Sequence, residues 1–168
     1  MNYAKLRKIK KLHFGWEEVA RVLGQTRDSA MVTASRYVSR GLLVRVKRNM
    51  YVLRERWDHL SREELFVLAN VAQVPSYISL MTALDQHGVT TQMQQGFAES
   101  IATKRTRTID VAGVVFTYSK VKDDLYFGFS RPQGFFIASP EKAFLDALYL
   151  VSLNHYRFDI STIVLGKL

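Results

Sequence analysis

Apolar residues recur every three or four positions through the first forty residues, then fall into short alternating runs. Leu6, Ile9 and Leu12 mark a helix over Asn2–Leu12, wrapped by Lys5, Arg7, Lys8, Lys10 and Lys11. His13-Phe14-Gly15 interrupts it. Trp16, Val19, Ala20 and Leu23 share one face of a second helix, Trp16–Leu23, closed by Gly24. Thr26 offers an N-cap, with Asp28 and Ser29 in the first turn of a third helix that reaches about Arg40. Gly41 stops that helix. The β-rich runs Leu42–Arg48 and Met50–Leu53 then meet at a basic tip around Asn49, the signature of a hairpin.

The period changes again further on. Arg54–His59 is polar and mixed in charge, and reads as a join. Ser61 and Glu64 form a capping box for a helix to about Ala72, buried through Leu65, Leu68 and Ala69. Pro75-Ser76 opens a helix over Tyr77–His87, ended by Gly88. Short β-type runs follow at Ile101-Ala102, Ile109–Val111, Val114–Tyr118, Tyr126–Phe129 and Phe135–Ile137, and Ser139-Pro140-Glu141 starts a last amphipathic helix. The expected fold is α+β. Residues 1–56 form an N-terminal winged helix-turn-helix, and residues 57–168 a mixed helix and antiparallel-sheet domain.

Composition narrows the partners. The chain has 168 residues, 48% of them apolar, enough for a packed core, and no cysteine, which fits a reducing cytoplasm. No apolar run is long enough to span a bilayer, and the start lacks the apolar block of a signal peptide, so no membrane partner is expected. Residues 1–56 carry fourteen Lys and Arg against four acidic residues, a net +10, whereas residues 57–168 carry ten against eleven, a net −1. Such an asymmetry points to a polyanionic partner for the first part, with a merely solvated basic face as the plainer alternative.

The third helix and the hairpin suggest which polyanion. Ala30, Ala34, Tyr37 and Val38 fall on one side of the helix, and Ser29, Val32, Thr33, Arg36 and Arg40 on the other side or its flank. A face of small polar residues can enter a major groove, where Arg36 or Arg40 pairs with guanine edges or phosphates. Lys47, Arg48 and Asn49 at the tip can touch the backbone or the minor groove, and Arg27 with the first-turn amides a phosphate. Taken singly, Arg36 is a solvated helix residue, Lys47-Arg48 protects a sheet edge, and Asp28 serves the helix dipole. Together they recur on the elements this fold presents to double-stranded DNA. A second basic patch, Lys104, Arg105 and Arg107, reads equally as a solvated turn or as a further contact for nucleic acid or an acidic partner.

Catalytic signatures do not assemble. A nucleotidyltransferase needs a Gly-Ser pair followed by Asp-x-Asp, and the chain has neither. The adjacent pairs Asp123-Asp124, Glu63-Glu64 and Glu17-Glu18 point apart on helix or strand. His13, His59, His87 and His155 are scattered, without metal-ligand spacing, and neither a P-loop nor G-x-S-x-G occurs. The expectation is a non-enzyme that needs no metal or cofactor.

Certain segments also resemble a known family. Arg40-Gly41-Leu42-Leu43-Val44-Arg45, Met50-Tyr51-Val52, Pro75-Ser76-Tyr77-Ile78-Ser79-Leu80, Ala83-Leu84 and His87-Gly88 resemble the AbiEi antitoxins. So do Lys104-Arg105-Thr106-Arg107, Gly113-Val114, Phe127-Gly128 and the run Ile137–Asp146 around Ser139-Pro140-Glu141-Lys142-Ala143. The resemblance covers roughly residues 12–155. It implies a DNA-binding antitoxin of a type IV toxin–antitoxin pair, whose winged helix binds inverted repeats in its own promoter. The C-terminal domain would counter an AbiEii-like nucleotidyltransferase toxin without forming a stable complex with it. Family chains continue with further helices after the Ser-Pro-Glu-Lys-Ala segment, so the apolar end Ile160–Leu168 implies a second domain shortened at its C-terminus. The residues themselves leave open a stand-alone regulator of the same fold, or an interaction module for RNA or an acidic protein.

Overall fold

A computed structural model describes residues 2–168; Met1, the first residue of the expected N-terminal domain, lies outside the described residues. The fold is α+β, and the chain divides into two compact units, the first ending at Glu64 and the second being Leu65–Leu168.

The first unit contains α1 (Tyr3–Leu6), α2 (Trp16–Leu23), α3 (Arg27–Ser39), β1 (Leu43–Lys47), β2 (Met50–Leu53) and α4 (Arg54–Trp57). Leu6, Ile9, Phe14, Val19, Ala30, Ala34, Tyr37, Leu43, Tyr51 and Leu53 close its core. The α1 helix is much shorter than the expected Asn2–Leu12. Like charges face each other at Arg7/Lys10, Arg7/Lys11 and Lys8/Lys11, which disfavours further turns. Ile9 is nevertheless buried, held by a bond from its N–H to the Leu6 carbonyl at 2.9 Å. His13-Phe14-Gly15 is more than a break. Phe14 exchanges both backbone hydrogen bonds with Tyr51, at 3.0 and 2.8 Å, and so adds a third edge to the hairpin.

The residue-56 boundary expected from the sequence falls inside α4. Trp57 is buried, Arg56 reaches the Lys10 carbonyl at 3.0 Å, and Arg56 pairs with Glu64 at 2.9 Å. These contacts hold the segment after the hairpin within the first unit, as far as Glu64.

The helix α5 (Arg62–Ala72) opens with the expected capping box: the Glu64 N–H donates to Ser61 Oγ at 3.1 Å, and the Ser61 N–H to Glu64 Oε2 at 3.2 Å. Next come β3 (Ser76–Ile78), α6 (Leu80–Gln86), β4 (Phe97–Ala102), β5 (Arg107–Val111), β6 (Val114–Lys120), β7 (Phe129–Ser130), β8 (Ile137–Ala138) and α7 (Pro140–Ser152). Six strands form one sheet in the order β5-β6-β4-β3-β8-β7. The sheet is mixed, which corrects the antiparallel expectation: β4 runs parallel to β6, and β3 parallel to β8. The cause is a wide reversal. The chain turns back after β4 but leaves a place that β6 fills antiparallel to β5, and therefore parallel to β4.

Two further expectations shift. The predicted helix Tyr77–His87 begins as strand, because Tyr77 and Ile78 slot between β4 and β8. Leu80, at φ 56°, then turns the chain into α6. The run Tyr126–Phe129 is strand only from Phe129, the preceding Asp123–Leu125 being a 3₁₀ turn. The helices α6 and α7 pack together, α6 also on β4 and α7 on β8, and Phe66, Phe116, Phe135, Tyr77 and Tyr118 are fully buried in this unit. Among the described residues no helix is long and apolar enough to cross a membrane.

Candidate nucleic-acid interface

The α3 helix is set by its ends. Thr26 caps it, its hydroxyl accepting from the Ser29 N–H, and Gly41, at φ 70°, takes the left-handed conformation just beyond it. The Thr26 hydroxyl also donates to Ser29 Oγ at 3.0 Å, so the Ser29 side chain is tied to the cap. Ala30, Ala34 and Tyr37 are buried, which turns Asp28, Val32, Arg36 and Arg40 outward as a single ridge at four-residue spacing. Thr33 is half-buried beside that ridge. Asp28, Ser29, Val32, Thr33 and Arg36 line an open depression of about 370 Å³. Arg27, at the start of the helix, lies over the Trp16 ring of α2, 5.3 Å from its centroid.

The hairpin tip divides into two roles. Lys47 and Arg48 are exposed. Asn49 is not free to meet a ligand in the same way. It sits at φ 57°, its Oδ1 accepts from the Trp16 N–H at 2.7 Å, and its Nδ2 donates to the Glu17 carboxylate at 3.0 Å. It therefore fastens the tip to the start of α2. Gly15 makes room for this clasp: a Cβ there would come within 2.6 Å of Asn49 Oδ1 and would also collide with the Glu17 carboxylate. Glu17 and Gly15 are the residues missed from the sequence. The positive-φ preference of Asn in a two-residue turn was the available signal.

The electrostatics separate one part of the unit from another. Arg7 pairs with Glu55, Lys11 with Glu18, Arg54 with Asp58 and Arg56 with Glu64. The Lys11 and Arg56 partners hold the Glu18 and Glu64 carboxyls below their ordinary range. Arg36, Arg40, Arg45 and Arg48 make no ion pair among the described residues. Burial, followed by the charges of Lys47 and Lys11, holds the His13 imidazole below its usual range and so neutral near pH 7. Glu55, Glu18, Asp58 and Glu64 are thus paired with cations other than Arg36, Arg40 and Arg48, and Asp28 is the one acid on the outward ridge of α3, one end of which it makes negative while Arg36 and Arg40 make the rest cationic.

Of the second basic patch, Lys104 and Arg105 occupy the reversal between β4 and β5, and Arg107 opens β5, paired with Tyr118 of β6. Lys104 and Arg105 are exposed and Arg107 is half-buried. Gln73 fixes the turn by donating to the Arg105 carbonyl at 2.9 Å.

Elsewhere in the second unit lies a polar cluster that the sequence reading did not single out as a site. Asp146 Oδ2 accepts from the Tyr77 hydroxyl at 2.9 Å and from Ser79 Oγ at 2.7 Å, while Oδ1 pairs with Lys142 Nζ at 2.8 Å. Lys142 also donates to the Leu125 carbonyl at 2.8 Å and lies 4.1 Å from the Phe127 ring centroid. Ser79 is fully buried and Asp146 nearly so. The cluster is a clasp that ties β3, the residue that opens α6, and α7 to one another. The signal for it was a Lys and an Asp four residues apart on the buried face of an amphipathic helix. Among the described residues no group of three or more His, Asp or Glu is placed to hold a metal ion.

Compared with known proteins, the chain matches no family model and no curated protein.

Proposed function

We propose that the chain is a cytoplasmic, non-catalytic DNA-binding antitoxin of a type IV pair. Its first unit acts as a winged helix that represses its own promoter, and its second unit counters a nucleotidyltransferase-like toxin. The observation that carries the DNA half is the outward ridge Asp28–Val32–Arg36–Arg40 beside the exposed tip cations Lys47 and Arg48, with Arg36, Arg40 and Arg48 outside any ion pair. A helix of this length fits the major groove. The tip then lies over the neighbouring backbone, and Arg27 with the first-turn amides faces phosphate at the helix start. Binding releases counterions, and occupancy of the promoter blocks transcription.

The antitoxin half rests on the resemblance of Pro75–Leu80 and Ser139–Ala143 to the AbiEi family. Those segments supply Tyr77, Ser79 and Lys142, three of the four groups in the buried clasp with Asp146. In this reading the clasp fixes the second unit's shape and does no chemistry.

Footprinting the full chain on the DNA upstream of its own gene tests the first half: protection of an inverted repeat is expected, and uniform cleavage contradicts it. Where a nucleotidyltransferase gene lies beside its own, co-expression of the two tests the second. Relief of growth arrest supports the antitoxin reading, whereas protected DNA without relief identifies a stand-alone regulator.

A further inference from the structure

Among the described residues of the first unit, Val32 is the one large apolar side chain that is exposed, at 57%; the other such residues all lie in the second unit. It stands mid-way along α3, in the depression formed with Asp28, Ser29, Thr33 and Arg36. Nothing in the unit's own packing uses it, and a β-branched residue there is a poorer helix former than alanine. Its neighbours one turn away on the same ridge are an acid, Asp28, and a cation, Arg36, neither of which it can pair with.

We infer that Val32 is a base-reading residue that packs on the C5-methyl group of a thymine in the major groove, with Arg36 one turn on taking the O6/N7 edge of a nearby guanine. The inference rests on the DNA-binding reading above and deepens it by naming the base chemistry. A small apolar side chain in a groove-facing position has one apolar target on the base edges, the thymine methyl. Four residues of helix advance about 6 Å, a little under two base-pair steps, so both bases fit one short site. Asp28, one turn before, accepts from a cytosine amino group, so the ridge faces base edges along its length while Arg27 beside it meets the backbone.

The experiment selects duplexes from a randomised pool with the full chain, then rebuilds the selected duplex with uracil replacing thymine, one position at a time. Uracil differs only by the missing methyl, so the wild-type chain should lose about fourfold in affinity at one position, the worth of one buried methyl-sized group. Val32→Ala should bind the thymine and uracil duplexes alike, with an unchanged circular dichroism spectrum because the side chain is exposed. Arg36→Ala should keep the thymine preference and relax the choice of guanine. Indifference of the wild type to uracil at every position overturns the inference while DNA binding stands. So does a Val32→Ala chain that keeps the thymine preference. Failure to enrich or bind any duplex removes the DNA-binding reading, and this inference with it.

Discussion

In the first unit, ion pairs such as Arg7–Glu55 and Arg54–Asp58 lie in water, with side chains between 42% and 58% exposed. In the second unit the pair Lys142–Asp146 is enclosed, at 7% and 3% exposed, and is bonded further to Tyr77, Ser79 and the Leu125 carbonyl. Surface pairs are screened and individually weak, so the first unit can hold an excess of cations at little cost and present them to a partner. A buried pair has specific geometry and no tolerance for the loss of one member. The difference separates a unit whose charge is available for binding from one whose central charges serve its own packing.

The largest expected effect follows from the enclosed pair. Asp146→Ala leaves the Lys142 ammonium buried without its counter-charge and strips two hydroxyls of their acceptor, which should cost about 3–5 kcal/mol of stability. Urea denaturation followed by circular dichroism measures it, and a loss under 1 kcal/mol would break the contrast between the units. Removing only one bond, as in Tyr77→Phe, should cost about 1 kcal/mol.

In the first unit the corresponding weak point is steric. Gly15→Ala pushes a methyl into the Asn49–Glu17 clasp and should cost about 1–3 kcal/mol, read through Trp16 and Trp57, both of which lie in that unit. Asn49→Ala should lose about 1–2 kcal/mol, because a residue suited to the left-handed conformation and a half-buried acceptor for the Trp16 N–H go together. At concentrations where it is folded, its slope of DNA affinity against salt should match the wild type. A shallower slope would return Asn49 to the contact surface.

Smaller still is the response to acid, which has opposite signs at the two kinds of carboxyl. Glu64 has its folded pKa held below the ordinary 4.5 by Arg56, so its contribution is present above about pH 4.5 and is lost as pH falls through the folded value. Burial raises Glu99 above 4.5, against the bonds from Tyr156 and Thr82, so its contribution falls as pH rises through the window between its unfolded and folded values. Between pH 5.5 and 3.5, Glu64→Gln should therefore flatten the loss of stability, and Glu99→Gln should steepen it. Urea midpoints at the two pH values give both slopes, and equal slopes in the two variants would contradict the assignment.

Local signals carried the first unit well. Trp16–Leu23 with its closing Gly24, the Thr26 cap and the Ser61–Glu64 box are each decided by residues within one turn of one another, and each occurs as expected. The second unit depended on partners distant in sequence. Tyr77 is a strand because Ile101 and the Ile137 region flank it, and no periodicity in Tyr77–His87 announces that. The parallel β4–β6 pairing is likewise a property of where the reversal leaves space. At the candidate interface, exposure of Arg36, Arg40, Lys47 and Arg48 was readable from helical spacing and hairpin chemistry. The diversion of Asn49 was not, because its partners stand thirty-two and thirty-three residues earlier.

The central claim, that the first unit alone offers its charge to DNA, is tested most directly by salt titration of two charge-neutralised chains on the DNA upstream of the gene. With about six phosphate contacts, wild-type affinity should fall around a thousandfold between 50 and 200 mM salt. The chain carrying Arg36→Ala, Arg40→Ala, Lys47→Ala and Arg48→Ala should bind far more weakly, with a salt slope about two to four units shallower. The chain carrying Lys104→Ala, Arg105→Ala and Arg107→Ala should keep the wild-type slope. A slope unchanged in the first chain, or lost in the second, would contradict the account.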